Sequence, residues 1–303
     1  MYRRDPELRT IKDDIELTHE QAVELKHCAA DIIYFAKYCQ IISANGQAPI
    51  QLKKYQIKVL RDLVSNDKKN NILLMFRQSG KTTLLAIYAL WYAMFNKDQT
   101  IGILANKCSQ SYDLISRLKI MYHNLPLWLQ TGLDLSKESG VWAKDSVRLA
   151  NGSHIFAAAA YSSSICGKTI NLMIVDEFAF LQPDSESDFM NTIFPTMCSA
   201  HNSKLVLASS PHGMNSFYKI WQNAINDKND FKPTKITVFD DEEKMSDPNW
   251  LHDMEIKYGI MFLEQEFKCT FLDSSINKEA KRKERRIAII NKINDLLIEL
   301  SEL

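Results

Sequence analysis

The sequence lacks the features that mark several classes of protein. Lysine plus arginine and aspartate plus glutamate number 37 each, so the net charge does not indicate a nucleic-acid-binding protein. Any contact with DNA would need a local basic patch. Six cysteines without a Cys-x-x-Cys pair argue against a metal site or disulfides and fit a reduced compartment. The charged N-terminus has no apolar signal-peptide core. The longest apolar run, Leu84 to Phe95, is too short to span a bilayer and predicts a buried helix.

The 303 residues are 46% hydrophobic, which suits one large α/β domain with appendages or two small domains. Apolar strands are predicted at 71–76, 100–105, 171–175, 204–208 and 234–239, with a hairpin at 146–160. Helices are predicted at 20–42, 51–64, 81–95, 109–122, 215–226 and 249–258, and a loop at 44–49. Because apolar strands alternate with helices, the pattern predicts a mainly parallel sheet covered by helices.

The composition changes near the C-terminus. Residues 278–286 hold six basic and two acidic residues, and five apolar residues then follow at helical spacing: Ile289, Ile293, Leu296, Leu300 and Leu303. This predicts an amphipathic helix too short for a stable coiled coil alone. A solvated helix, a DNA-contacting segment and an oligomerising helix all remain open. We therefore divide the chain into an arm and helix at 1–50, a main domain at 51–275 and a tail at 276–303.

A phosphate-binding loop is predicted where the first apolar strand meets the helix after it, at Arg77-Gln78-Ser79-Gly80-Lys81-Thr82-Thr83. Backbone N–H groups of such a turn can cradle phosphates, Lys81 would reach the β- and γ-phosphates of ATP, and the Thr82 hydroxyl would bind Mg²⁺. The usual glycine five residues before Gly80 is Met75 here, so the match is partial. The alternative is a chance Gly-Lys-Thr at a helix start. The flanking strand and helix favour a P-loop NTPase fold of the RecA-like ASCE type.

Two carboxylates follow the strand that ends at Val175. Asp176 would hold Mg²⁺ directly or through water, and Glu177 would polarise the attacking water. The alternative is a strand that ends in solvated acids. Their position downstream of a phosphate-binding loop favours the catalytic interpretation.

Three further features have weaker signals. Ser209, Ser210 and Pro211 follow another apolar strand and could sense the γ-phosphate, or form only a polar turn. The Gln56 amide could read the donor and acceptor edges of adenine. The Arg77 guanidinium could stabilise charge on the transferred phosphoryl group, or could serve only in a salt bridge or phosphate binding.

The order of these motifs resembles the large terminase subunit of tailed bacteriophages, most closely the T4-like group. The resemblance is carried by Tyr55-Gln56, the 77–83 loop, 174–180 (IVDEFAF) and 208–213 (ASSPHG), and it covers roughly residues 18–275. It implies that Gln56 reads adenine, that Lys81 and Thr82 bind phosphate and Mg²⁺, and that Asp176 holds the metal. It also implies a catalytic Glu177, a loop arginine Arg77 that triggers hydrolysis, and a coupling motif at 209–211.

The resemblance further implies a motor that hydrolyses ATP to pump double-stranded DNA into a procapsid. Its partners would be the portal protein, the small terminase subunit and further copies in a homo-oligomeric ring, with no membrane. Its location would be the host cytoplasm and, transiently, the portal, but not the mature virion. Near residue 276 the family continues into an RNase H-like nuclease domain whose metal-binding acids have no counterpart here. No nuclease activity is therefore expected of this chain.

Two other functions remain open. A superfamily-2 helicase shares an adenine-reading glutamine, a P-loop and an Asp-Glu pair. It also needs a second RecA-like domain, for which the roughly 90 residues after Pro211 are too few. A regulatory or decoy fragment would instead bind ATP or procapsid without turnover.

Overall fold

The computed structural model describes residues 8–10, 13, 15–43, 46–134, 142–160, 165, 168–199 and 203–273. The strands are β1 (Gln40–Ser43), β2 (Gly46–Pro49), β3 (Asn70–Met75), β4 (Thr100–Ala105), β5 (Trp142–Ala143), β6 (Ser146–Arg148), β7 (His154–Ala159), β8 (Leu172–Asp176), β9 (Lys204–Ser209) and β10 (Phe231–Ile236). β1 and β2 form a separate antiparallel pair, and the others form one sheet in the order β10-β3-β9-β8-β4-β7-β6-β5. The first six strands of that order are parallel and the last two pairings are antiparallel. The predicted mainly parallel α/β fold is confirmed.

The helices are α1 (His19–Ala30), α2 (Ile32–Ala36), α3 (Lys54–Val64), α4 (Lys81–Phe95), α5 (Cys108–His123), α6 (Pro183–Asp188), α7 (Phe194–Ser199), α8 (Ser216–Ile225), α9 (Glu242–Met245), α10 (Trp250–Tyr258) and α11 (Ile260–Phe262). Two 3₁₀ turns lie at Phe178–Phe180 and Val238–Asp240, and two π-helical turns at Phe189–Ile193 and Leu263–Phe267. Within the described ranges, none of the helices combines the length and hydrophobicity that crossing a membrane requires.

The predicted single helix at 20–42 is broken at Asp31 and ends early, at Ala36 of α2. Asp31 adopts an extended conformation and its side chain accepts a hydrogen bond from Ile33 N at 2.8 Å, so it ends α1 and caps α2. Residues 40–43 then pair with 46–49, part of the predicted loop. The apolar spacing continues across this break, which is why periodicity alone overran it. The predicted tail helix at 276–303 lies outside the described residues.

Helix α4 lies at the centre of the structure, between α3 and α5. Most of its residues are buried, including Leu84, Ile87, Tyr88 and Leu90, as the continuous apolar run predicts. A helix that is apolar all round needs neighbours on every side, and here the sheet and flanking helices supply them. The core therefore holds α4 firmly against the strands that carry the predicted motifs.

The predicted hairpin is confirmed, and its turn fastens the C-terminal end of α4. The Asn151 Nδ2 atom lies 2.8 Å from the Ala93 carbonyl oxygen, 3.1 Å from that of Met94 and 3.2 Å from that of Asn96. Gly152 has φ +85°, and a Cβ atom there would lie 2.0 Å from Asp98 Oδ1. The turn thus satisfies carbonyl groups that a helix leaves unpaired at its C-terminus, and only glycine fits beside it.

Candidate active site

The predicted motifs converge because they end three neighbouring parallel strands. β3 pairs with β9, with Leu74 opposite Ser209, and β9 pairs with β8, with Asp176 opposite Ala208. The carboxyl ends of parallel strands share one edge of the sheet, where ligands bind in such folds. The loop after β3, Glu177 at the end of β8 and Ser210 after β9 therefore border one cavity of about 690 Å³, and Asp176 borders an adjoining one.

The loop between β3 and α4 turns sharply through two left-handed residues. Gln78 has φ 64° and Gly80 has φ 82°. Gly80 precedes the first residue of α4, and no side chain caps that helix. The first N–H groups of a helix have no intrahelical partners and favour an anion, so this end of α4 is suited to phosphate. The Ser79 Oγ atom is buried and has no hydrogen-bond partner in the part of the chain that the structure describes, which also suits a site that receives further polar atoms.

Replacing Gly80 by alanine is expected to weaken nucleotide binding and lower the melting temperature. A Cβ atom at Gly80 would lie 2.7 Å from Gln56 Nε2, and the left-handed conformation adds a strain of about 1–2 kcal/mol. Gly46→Ala is the matched control, because Gly46 also has positive φ (+98°) but nothing within 4 Å of the added Cβ. Thermal unfolding with and without ATP measures both effects. Equal nucleotide-induced stabilisation of the two variants would contradict a close-packed loop at Gly80.

A buried ion cluster lies beneath the loop. Lys81 Nζ is 2.9 Å from Glu177 Oε1 and 3.8 Å from Asp176 Oδ1, while the Thr82 hydroxyl donates to Asp176 Oδ2 at 2.8 Å. Burial works against charge on Lys81, but the two carboxylates outweigh it, so the pKa of the ammonium lies above its ordinary value. Burial raises the pKa of the Asp176 carboxyl, and the Lys81 charge counters this only in part. A divalent cation between Thr82 and Asp176 would favour the ionised form.

Glu177 has an unusual backbone. Its φ of 53° and ψ of 41° place a non-glycine residue in the left-handed region, which costs on the order of 1–3 kcal/mol and often marks a functional position. The Ser209 hydroxyl lies 3.4 Å from Glu177 Oε2 and accepts a hydrogen bond from Ala179 N at 3.2 Å. The end of β9 therefore contacts the side chain of Glu177 and the turn that follows it.

Arg77 lies at the rim of the cavity with 59% of its side chain exposed. Its backbone N–H donates to the Glu266 carbonyl at 2.7 Å, and its Nη1 atom is 3.8 Å from Glu266 Oε2. Glu266 also lines the cavity, and the Ser210 hydroxyl lies 3.4 Å from its Oε2 atom. No sequence motif indicates Glu266, because it reaches the site only through the tertiary fold.

The structure brings most of the predicted residues to this cavity. All seven residues of the 77–83 loop line it, together with Glu177 and Ser210, and Asp176 lines an adjoining cavity with Thr82. Gln56, Ser209 and Pro211 are not among its described lining residues. Arg117 is a further lining residue that the sequence did not indicate, and its Nη1 atom lies 3.4 Å from Thr83 Oγ1.

Gln56 is placed against the loop itself. Its Nε2 atom donates to the Ser79 carbonyl at 3.0 Å, and its Oε1 atom accepts from Lys53 N at 3.1 Å. The Tyr55 hydroxyl donates to the same Ser79 carbonyl at 3.0 Å. The Nε2 end of the amide thus supports the loop and the Oε1 end caps α3, and recognition of adenine by Gln56 stays a prediction.

This fold is that of the ATPase domain of phage large terminases. Similar structures are the large terminase ATPase domain of Thermus phage P74-26 (TM-score 0.56, 18% identity, 73% of this chain and 94% of that one) and the large terminase of bacteriophage HK97 (0.57, 19%, 69% and 44%). A third is the large terminase of a thermophilic bacteriophage in complex with ADP (0.55, 18%, 73% and 54%). The chain thus spans about half the length of the last two proteins.

The family is shown by a direct match to its sequence model. The model described as "Terminase large subunit, T4likevirus-type, N-terminal" matches residues 72–281, more than half of the chain. The chain belongs to this family of large terminase subunits, as its motifs predict.

Proposed function

We propose that this chain binds ATP with Mg²⁺ and hydrolyses it to drive double-stranded DNA into a procapsid. The observation that carries the proposal is the contact network of Lys81, Thr82, Asp176 and Glu177 at the sheet edge, directly beneath the 77–83 loop. Binding and hydrolysis of a metal-bound nucleotide require a basic group for the phosphates, a hydroxyl and a carboxylate for the metal, and a second carboxylate for the attacking water.

The binding step follows from the positions of these groups. The phosphates of ATP would lie against the loop and the N-terminus of α4, with the Lys81 ammonium on the β- and γ-phosphates. Thr82 and Asp176 would hold Mg²⁺, which usually takes one or two protein oxygens and completes its shell with phosphate and water.

The hydrolysis step requires a proton acceptor and stabilisation of negative charge. Glu177 would accept the proton of the water that attacks the γ-phosphorus, as the bond to the β–γ bridging oxygen breaks and ADP leaves. Arg77 would stabilise charge on the phosphoryl oxygens in transfer. Glu177 is bonded to Lys81 in the structure, so phosphate that engages Lys81 would free the carboxylate for this task.

The coupling step would use the contacts at the end of β9. Ser209 touches Glu177 and Ser210 touches Glu266, so a change at either carboxylate reaches the 209–211 segment directly. Double-stranded DNA, the portal protein, the small terminase subunit and further copies of the chain in a ring are the proposed partners. The proposed location is the host cytoplasm, with transient docking at the portal.

Steady-state hydrolysis of ATP by the purified chain tests the proposal. We expect slow release of phosphate that requires Mg²⁺ and that double-stranded DNA alters. A chain that binds ATP but releases no phosphate under any of these conditions would be a regulatory fragment. Separation of the strands of a forked duplex would instead indicate a helicase.

A further inference from the structure

A buried carboxylate outside the recognised motifs faces the nucleotide cavity. Glu266 lies in the π-helical turn 263–267 and exposes only 5% of its surface, yet it is one of the residues that line the cavity. Buried carboxylates are costly unless they are paired, and they are found where they serve a purpose. The described contacts of Glu266 therefore indicate what it does.

Glu266 holds Arg77 at two points. The short bond from Arg77 N to the Glu266 carbonyl fixes the backbone of residue 77, and the carboxylate lies 3.8 Å from the guanidinium. Among the described residues, the remaining contacts of the carboxylate are neutral, from the Ser210 hydroxyl at 3.4 Å and the Gln265 amide at 3.0 Å. The Arg77 guanidinium is thus the cation that compensates this buried charge, although it is itself mostly exposed.

This arrangement can orient the guanidinium for phosphate. Arginine offers five N–H donors in a planar fork, so one side can face a carboxylate while the other faces phosphate oxygens. An exposed arginine without such a partner loses conformational freedom when it binds, and a preset orientation reduces that cost. The negative charge of the glutamate fixes the orientation of the guanidinium. A neutral side chain of the same shape would not.

We propose that Glu266 is a positioning residue that acts through Arg77, holding its guanidinium toward the γ-phosphate during hydrolysis. The proposal rests on the proposed ATPase function. Since Ser210 contacts the same carboxylate, Glu266 also joins the trigger arginine to the segment after β9. Glu266 thereby belongs to the hydrolytic machinery, whereas the rest of its turn links α11 to the residues that follow.

The test compares kcat and KM for ATP in Glu266→Gln with those of a matched control. We expect kcat to fall on the order of 10- to 100-fold, as for other residues that orient a catalytic group, while KM changes by less than about threefold. The control is Glu264→Gln, two residues earlier in the turn, where the carboxylate pairs with Lys268 and Thr270. Glu266→Asp keeps the charge and should give an intermediate kcat.

The Arg77 background shows whether Glu266 acts through that residue. The double variant Arg77→Ala with Glu266→Gln should hydrolyse ATP no more slowly than Arg77→Ala alone, because residues that act as a unit are not additive. If glutamine unfolds the turn, the same comparison made with Glu266→Asp carries the test. Multiplied losses in the double variant, or a wild-type kcat in Glu266→Gln, would overturn the inference alone. A wild-type protein without ATPase activity would overturn the proposed function as well.

Discussion

Glu177→Gln is expected to keep ATP bound but to lose hydrolysis by about 10²- to 10⁴-fold in kcat, the usual contribution of a general base. Glutamine keeps the size of the side chain and can still accept a hydrogen bond from Lys81, so the phosphate contacts survive. It cannot take the proton of the attacking water. Binding of ATP by calorimetry and phosphate release in the same preparation separate the two effects.

Lys81→Ala should differ from Glu177→Gln in the same experiment, because ATP binding should be lost as well. It removes the cation that compensates two carboxylates and would contact the β- and γ-phosphates, so both binding and turnover should be lost. The control for Glu177→Gln is Asp184→Asn, which also removes one negative charge but from an exposed side chain on α6. Wild-type turnover by Glu177→Gln would show that another group, or water alone, accepts the proton.

Arg77→Ala is expected to lower kcat on the order of 10³-fold while KM for ATP changes little. The reason is that the guanidinium stabilises negative charge in the transition state more than it stabilises bound ATP. The side chain lies at the rim, and alanine keeps the backbone bond to the Glu266 carbonyl, so the loop should stay in place although the buried Glu266 carboxylate loses its cation and the fold some stability. Initial rates over a range of ATP concentrations give the two constants separately.

Arg117→Ala is the informative comparison for Arg77. Arg117 also lines the cavity, but it pairs with Asp113 and lies against Thr83, at the far end of the loop. Its loss should affect KM more than kcat. If Arg77→Ala changed KM alone, Arg77 would be a phosphate clamp and the trigger would have to be sought elsewhere.

Much of the fold follows from local patterns that the chain obeys strictly. β4 and α4 have the predicted bounds, because continuous apolar runs flanked by turn residues leave little choice of element. The cluster of Lys81, Asp176 and Glu177 follows from a topological rule, since parallel strands bring their carboxyl ends together. The sequence thus contained the identity of these residues and the edge at which they meet.

Other features depend on contacts between distant segments. Asp31 breaks the N-terminal helix through its own side chain although the apolar spacing continues, and the spacing of apolar residues does not reveal that competing hydrogen bond. Most of the domain lies between Arg77 and Glu266 in the sequence, and only the fold makes them neighbours. The ability of a glutamine amide to recognise a base predicts a role for Gln56 in binding adenine, whereas the fold places its Nε2 atom in a hydrogen bond to the Ser79 carbonyl of the loop.

The turn at Asn151 has a mechanical consequence for helix α4. A helix of 15 residues is about 22 Å long, and this one is fastened at its C-terminal end to the antiparallel side of the sheet by the Asn151 amide and the Ser153 hydroxyl. It cannot slide along its axis without breaking those bonds. A pulling force on the N-terminal end of α4 would be transmitted through these bonds to the β6–β7 hairpin. Helix α4 would therefore move together with the sheet, and any large displacement would have to occur in segments beyond the sheet edge.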